Sequence, residues 1–237
     1  MTKSILLFSI LSLQALSGEI NGIIKGNKDG LEDYSGFIVY IKEGQALPTR
    51  RASKKIYEVA QVNKKFSPAV RGIEVGSSID YKNYDEIFHN VFSLSPKKKF
   101  DLGIYKGEEQ FDEKFKPIQN KKQSTKVKFN NPGKIKVFCN IHEDMMSTVY
   151  VFNHSYFSQV NKNGHFKLPI PKKGKVTIVL DGDRLKRPIS KKFDVTKIKR
   201  PLRIKFKTVD KKPVPKHFKK DGKEYDNEWS LNEDEFY

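Results

Sequence analysis

The chain has 237 residues, with 46 Lys+Arg against 28 Asp+Glu for a formal charge of +18, and 12% of its residues are aromatic. That length allows one large or two modest domains, and the aromatics argue against wholesale disorder because their burial offsets ordering entropy. A single cysteine excludes an intramolecular disulfide framework and any zinc or iron–sulfur site that needs four thiolates.

In chain order, Lys3 precedes an apolar run from Ile5 to Leu13, and Ala15-Leu16-Ser17 puts small residues where a signal peptidase reads. This pattern predicts a signal peptide over 1–17 and a periplasmic or secreted protein. The run is too short to cross about 30 Å of hydrocarbon, and no later segment is long enough, so no transmembrane segment is expected. Strands are predicted at 19–25 and 36–42, followed by a polar connection to residue 55. Short β signals then recur at 56–62, 70–75, 78–81, 91–94, 126–130, 134–139 and 148–152, spaced as in a β-sandwich. The charged stretch 106–123 lacks strand alternation and reads as a long loop. A second β set follows at 165–170, 175–180, 190–195 and 202–206. Residues 186–223 carry 16 basic and 3 acidic side chains, whereas 224–237 carry six acidic and no basic ones. The end of the sequence therefore reads as a disordered tail, 210–237, basic and then acidic. Trp229 lies in it, with a ring that could dock on the sandwich.

In an exported chain the lone Cys139 stands out. It reads as a reactive thiol, a dimer bridge or a metal ligand, against a buried inert side chain. Its neighbours favour the ligand. The segment Val137-Phe-Cys-Asn-Ile-His-Glu-Asp-Met-Met146 places Cys139, His142 and Met145 in a C-x2-H-x2-M loop after a strand. Upstream, Phe88-His-Asn-Val-Phe-Ser93 carries His89 into another strand. One thiolate, two imidazoles and a thioether form the ligand set of a mononuclear blue-copper site. Thiolate and thioether stabilise Cu(I), and imidazole serves both oxidation states, so one copper, Cu+ or Cu2+, is the cofactor expected. Spacing favours Met145 over Met146 as the axial group. His154, His165 and His217 lack partners at ligand spacing and read as surface histidines.

The stretch from about Val59 to Phe152 resembles the cupredoxins, and its ligand loop resembles the short loop of amicyanin. The string His89-Asn-Val-Phe-Ser-Leu-Ser, Phe100-Asp-Leu-Gly-Ile-Tyr105, Pro132-Gly and Phe138-Cys-Asn-Ile-His142 is similar to periplasmic methylamine-utilisation or plastocyanin-like proteins. The resemblance implies equatorial ligands at His89, Cys139 and His142 and an axial Met145. It also implies that Asn90 braces the cysteine loop by a hydrogen bond, and that His142 is the electron exit. Glu143-Asp144 stand where similar sequences often carry proline, which would favour a cationic partner surface or raise the pKa of His142.

The flanks resemble a carboxypeptidase-regulatory-like sandwich, through Glu19-Ile-Asn-Gly-Ile-Ile-Lys, Gly36-Phe-Ile-Val-Tyr-Ile and the turn around Asn163-Gly164-His165-Phe166. The fold expected is thus all-β: a Greek-key cupredoxin sandwich over 56–152, plus a second small sandwich from 18–55 and 153–209, into which the first is inserted. The function expected is that of an exported one-electron carrier, not an enzyme, working between a donor and an acceptor redox protein. The alternative is a copper-binding or delivery protein without electron shuttling. The basic stretch Lys186–Lys223 could meet an anionic envelope surface. Nucleic acid is not expected as a partner, since no recognition fold or stacking motif is present.

Overall fold

A computed structural model of the chain describes residues 18–26, 33–42, 47, 52–107, 109–111, 117–122, 125–142 and 144–207. The expected leader and tail both lie outside these residues. The described chain is all-β apart from one 3-10 turn, Val195–Lys197.

The central stretch builds the larger body. A seven-stranded sheet runs in the order Pro117–Lys122, Glu109–Phe111, Lys98–Lys106, His89–Ser95, Gly133–Phe138, Met146–Phe152 and Val70–Glu74. Its last pair is parallel and the others are antiparallel. Facing it are a three-stranded sheet of Lys126–Lys128, Ser78–Asp80 and Ile56–Glu58, and the hairpin Ala60–Val62 with Lys65–Ser67. Val91, Tyr105, Ile135, Val137, Val149 and Val151 from one side meet Val59, Phe66, Ile79 and Phe129 from the other in a single core.

Two readings of the sequence need correction here. The charged stretch 106–123 is not a plain loop, because Glu109–Phe111 and Pro117–Lys122 extend the large sheet. Pro117–Lys122 is the edge, with Glu109–Phe111 paired on both sides between it and Lys98–Lys106; edge strands carry charge that blunts further pairing, so the apolar alternation of a half-buried strand is missing there. The predicted strand 56–62 is broken at Val59, and its second half turns back through Asn63 and Lys64, both at positive φ. This is the backbone of a tight hairpin in which Asn is favoured.

The chain ends pair with each other. Gly18–Gly26 lies between His165–Ile170 and Leu202–Phe206, antiparallel to the first and parallel to the second. Phe37–Ile41 lies between Phe157–Gln159 and Lys175–Gly182, with Ile189–Asp194 beyond. Phe37, Val39 and Ile41 from one sheet and Ile20, Ile24, Phe166 and Leu168 from the other share an apolar core.

The two bodies are joined by aromatic packing. Met146–Phe152 shows no alternation of burial, because Val149 and Val151 face the central core while Tyr150 and Phe152 meet Ile38, Tyr40 and Phe157 from the chain ends. Phe152 lies 4.7 Å from the ring of Phe157 and 5.1 Å from that of Tyr40. At Gly72 the approach is so close that a Cβ would lie 2.7 Å from both Ile38 and Phe157. Two ion pairs flank this contact: Lys134 to Asp181 at 3.1 Å, and Lys136 to Asp183 at 2.7 Å.

Candidate metal centre

Strand geometry brings together residues fifty positions apart. His89 opens one strand of the large sheet and Cys139 follows the end of its neighbour, whose Phe138 pairs with Phe92. The loop after Cys139 closes tightly: Met145 N–H donates to the carbonyl of His142 at 3.2 Å, and Cys139 N–H donates to that of Met145 at 3.1 Å. Asn90 braces the loop from the neighbouring strand, its Oδ1 accepting the N–H of Asn140 at 2.7 Å.

The result is a converging donor set. The ligating atoms of His89, Cys139 and His142 lie within 4.8 Å of one another, and among the described residues this trio is the metal-capable group. Nδ1 of each imidazole stands 3.8 Å from Cys139 Sγ, and the two rings are 4.7 Å apart. His89, Cys139 and Met145 are fully buried, whereas His142 is half-buried. Met145 packs in the same core cluster as Cys139. Its neighbour Met146 instead lines a groove on the opposite side.

The electrostatics suit a soft cation. Burial pushes the Cys139 thiol up, against backbone N–H groups of Asn90, His142 and Ile141 that pull it down. Burial lowers His89 to about 4, against the raising effect of the Asp85 carboxylate. Both effects favour the neutral form, a protonated thiol and an unprotonated imidazole, and a metal that binds thiolate and neutral imidazole reverses the first and exploits the second.

Asp85 is a site residue that sequence reasoning missed. Its Oδ2 lies 2.8 Å from His89 Nε2, fixing that nitrogen as the N–H donor and turning Nδ1 toward the sulfur. The carboxylate also accepts the N–H groups of Asn63, at 2.6 Å, and Lys64, at 2.9 Å, from the hairpin turn. Burial raises its pKa, but the N–H of Lys64, His89 and the N–H of Asn63 outweigh that and hold it low. The four-residue Asp-to-His spacing was a usable signal; the hairpin that holds the carboxylate was not visible.

The remaining expectations divide. Asp144 is exposed, and Glu143 lies outside the described residues. His165 is exposed as expected, and His217 lies outside the described residues. His154, read as a surface side chain, is buried: its Nδ1 accepts the N–H of Tyr156 at 3.1 Å and its ring stacks on Phe152 at 5.3 Å. Closure of the chain ends onto the central body covers it, which no local pattern announces.

The central body with its thiol–imidazole trio is that of a cupredoxin. The family model for copper binding proteins of the plastocyanin/azurin family matches residues 55–152, the stretch that builds this body. Among solved structures, a copper-containing nitrite reductase from Thermus scotoductus SA-01 is 18% identical, over 45% of this chain and 24% of that one, with a TM-score of 0.33. The chain thus spans about a quarter of that relative's length. A Cu(I) amicyanin variant is 18% identical over 48% of this chain and 98% of that one, with a TM-score of 0.30. A pseudoazurin from Sinorhizobium meliltoi is 20% identical over 43% and 76%, at 0.30. A search of the curated proteins gives no match.

Proposed function

We propose that the protein is an exported type 1 copper protein that carries single electrons between a donor and an acceptor redox protein, without transforming a substrate. One observation carries this reading: two imidazole Nδ1 atoms converge on one thiol at 3.8 Å each, with the buried Met145 packed in the same core cluster as that thiol. His89, Cys139 and His142 would hold one copper, with Met145 as the axial group and Asn90 and Asp85 as braces. Copper, when bound, supplies a one-electron couple between Cu(I) and Cu(II).

The chain's own part is to keep the donors still. His89 and Cys139 hang on paired strands, Asn90 ties the cysteine loop to its neighbour, and Asp85 fixes the tautomer of His89. Ligands held on a rigid scaffold move little when the metal's charge changes, which keeps reorganisation small. His142 is half-buried and is the natural contact for a partner. The basic stretch 186–223 would favour acidic redox partners or an anionic envelope surface. The 1–17 pattern supports export. The register pairs between the chain ends support treating 18–55 and 153–209 as one β-domain into which the cupredoxin is inserted; deletion of 56–152 with a short bridge should then leave a folded domain.

Addition of Cu(II) to the purified protein should give an intense blue thiolate charge-transfer band. A colourless copper complex would end the electron-carrier reading and leave the alternative, copper binding or delivery without shuttling. Full burial of three of the four donors favours the carrier, because a delivery site must open to exchange its metal.

A further inference from the structure

We propose that the outer face of the sheet formed by His165–Ile170, Gly18–Gly26 and Leu202–Phe206 docks on an anionic lipid bilayer. Alternation divides these strands between two environments. Ile20, Ile24, Phe166, Leu168, Leu202 and Phe206 enter the chain-end core, while Asn21, Lys25, His165, Lys167, Arg203 and Lys205 are exposed on the other side. Register sets the outward residues next to one another: Ile23 lies between His165 and Arg203, Lys167 beside Asn21, and Lys25 beside Lys205.

The result is a cationic plane. With strands about 4.8 Å apart and alternate residues about 6.7 Å apart, Lys25, Lys167, Arg203 and Lys205 share a patch of about 10 Å by 13 Å. Neighbouring charges at that spacing lie within the Debye length of about 8 Å at physiological ionic strength, so their potentials add. Among the described residues none of the four is held in an ion pair. Glu19 is the one carboxylate that the three strands carry. Lys134 and Lys136, at the joint between the bodies, are by contrast each paired with an aspartate.

The layering of the molecule turns this plane away from the cupredoxin. Phe37, Val39 and Ile41 of the neighbouring sheet face the core shared with the basic sheet, whereas Ile38 and Tyr40 of the same strand pack on Val70, Tyr150 and Phe152. A docked chain therefore holds its cupredoxin on the side away from the bilayer. A protein partner needs an apolar or aromatic anchor at the centre of its contact, and single-stranded nucleic acid needs aromatic rings to stack on. This face offers only Ile23 and Pro169, both half-buried. Flexible Lys and Arg side chains on a flat sheet suit a flat layer of negative headgroups. Docking of this kind rests on the anionic-surface reading of 186–223 given above and is independent of the copper reading.

Sedimentation of the full chain with phosphatidylcholine vesicles containing about one-third phosphatidylglycerol tests the face. Each Lys or Arg near such a surface strengthens binding about fivefold, so Lys167→Gln with Arg203→Gln and Lys205→Gln should weaken it about 100-fold. All three positions are exposed, and thermal unfolding should stay at the parent temperature. Lys99→Gln with Lys126→Gln and Lys128→Gln removes the same charge from exposed positions on the cupredoxin and should weaken binding less than about threefold, because distant charges are screened. Both variants keep every other basic residue, so their difference isolates the face. Equal losses in the two variants, or none in the first, would overturn the docking face while leaving the anionic-surface reading in place. No binding by the unaltered chain would overturn both. Binding that persists at 1 M salt, where the Debye length falls to about 3 Å, would show apolar insertion instead. Capture of soluble polyglutamate but not of vesicles, lost in the first variant, would make the ligand an acidic protein and overturn the lipid assignment.

Discussion

The two bodies of this chain build their interiors differently. Among the described residues twelve polar or charged side chains are buried: ten (Gln61, Glu74, Ser77, Asp80, Asn83, His89, Asn90, Ser93, Ser147 and Thr148) lie in the cupredoxin, and the other two, His154 and Asp181, in the chain-end body. The chain-end core is apolar throughout, whereas the cupredoxin core carries a thiol and a buried imidazole at its margin. Buried polar groups cost stability unless paired, so their concentration in one body marks where chemistry, rather than packing, sets the sequence. The chain-end body contributes support: it covers the outer face of Met146–Phe152 and walls the groove behind the loop.

Substitutions should separate the two roles. The largest effect is expected from Cys139→Ser, which should abolish the blue band and weaken Cu(II) binding by orders of magnitude, while circular dichroism stays that of a folded β protein. Phe37→Ala, in the apolar core, should do the reverse: a loss of about 3–5 kcal/mol in denaturant unfolding, with the colour of the folded protein unchanged. A lost band in Phe37→Ala would show that the two bodies are not separable in function.

Asp85→Ala should be milder. It removes the partner of His89 Nε2 and the acceptor for two turn N–H groups, and copper competition titration should read about 10–100-fold weaker affinity. His154 marks the joint between the bodies, and burial lowers its pKa. A histidine lowered by folding binds fewer protons folded than unfolded, so it adds stability above the unfolded value near 6.5, lost as pH falls below it. His89, lowered to about 4 in the metal-free chain, acts with the same sign, so stability should decline below about pH 6.5 by at most about 1.4 kcal/mol per pH unit for each of the two histidines. His154→Asn, which can keep the acceptor for Tyr156 N–H, should remove its own share of that slope and leave the share of His89. The smallest effect is expected across the joint: a double-mutant cycle on Lys136 and Asp183, both partly exposed, should show a coupling of about 1 kcal/mol or less.

The cupredoxin was legible because its signals are local. Strand alternation marks Gly133–Phe138 well, although the strand Lys98–Lys106 was not predicted, and C-x2-H-x2-M with a distant His-Asn pair names donor types whose chemistry is specific. The strands Glu109–Phe111 and Pro117–Lys122 were not legible: the first has 3 residues, too few to show alternation, and the second is the sheet edge, where charge replaces apolar alternation. Nor was the burial of His154, which depends on a sheet formed by residues more than a hundred positions apart, Phe37–Ile41 and Lys175–Gly182.

By itself the sequence determined the all-β character, the candidate donors His89, Cys139, His142 and Met145, and the uneven charge, because side-chain chemistry and short-range periodicity are written residue by residue. Only the tertiary structure decided which carboxylate orients His89, and that the groove behind the loop carries the charge of Lys186 and Arg187. Each of those depends on which strands pair, and pairing is set by the summed burial of both faces of a sheet, a quantity no single segment contains.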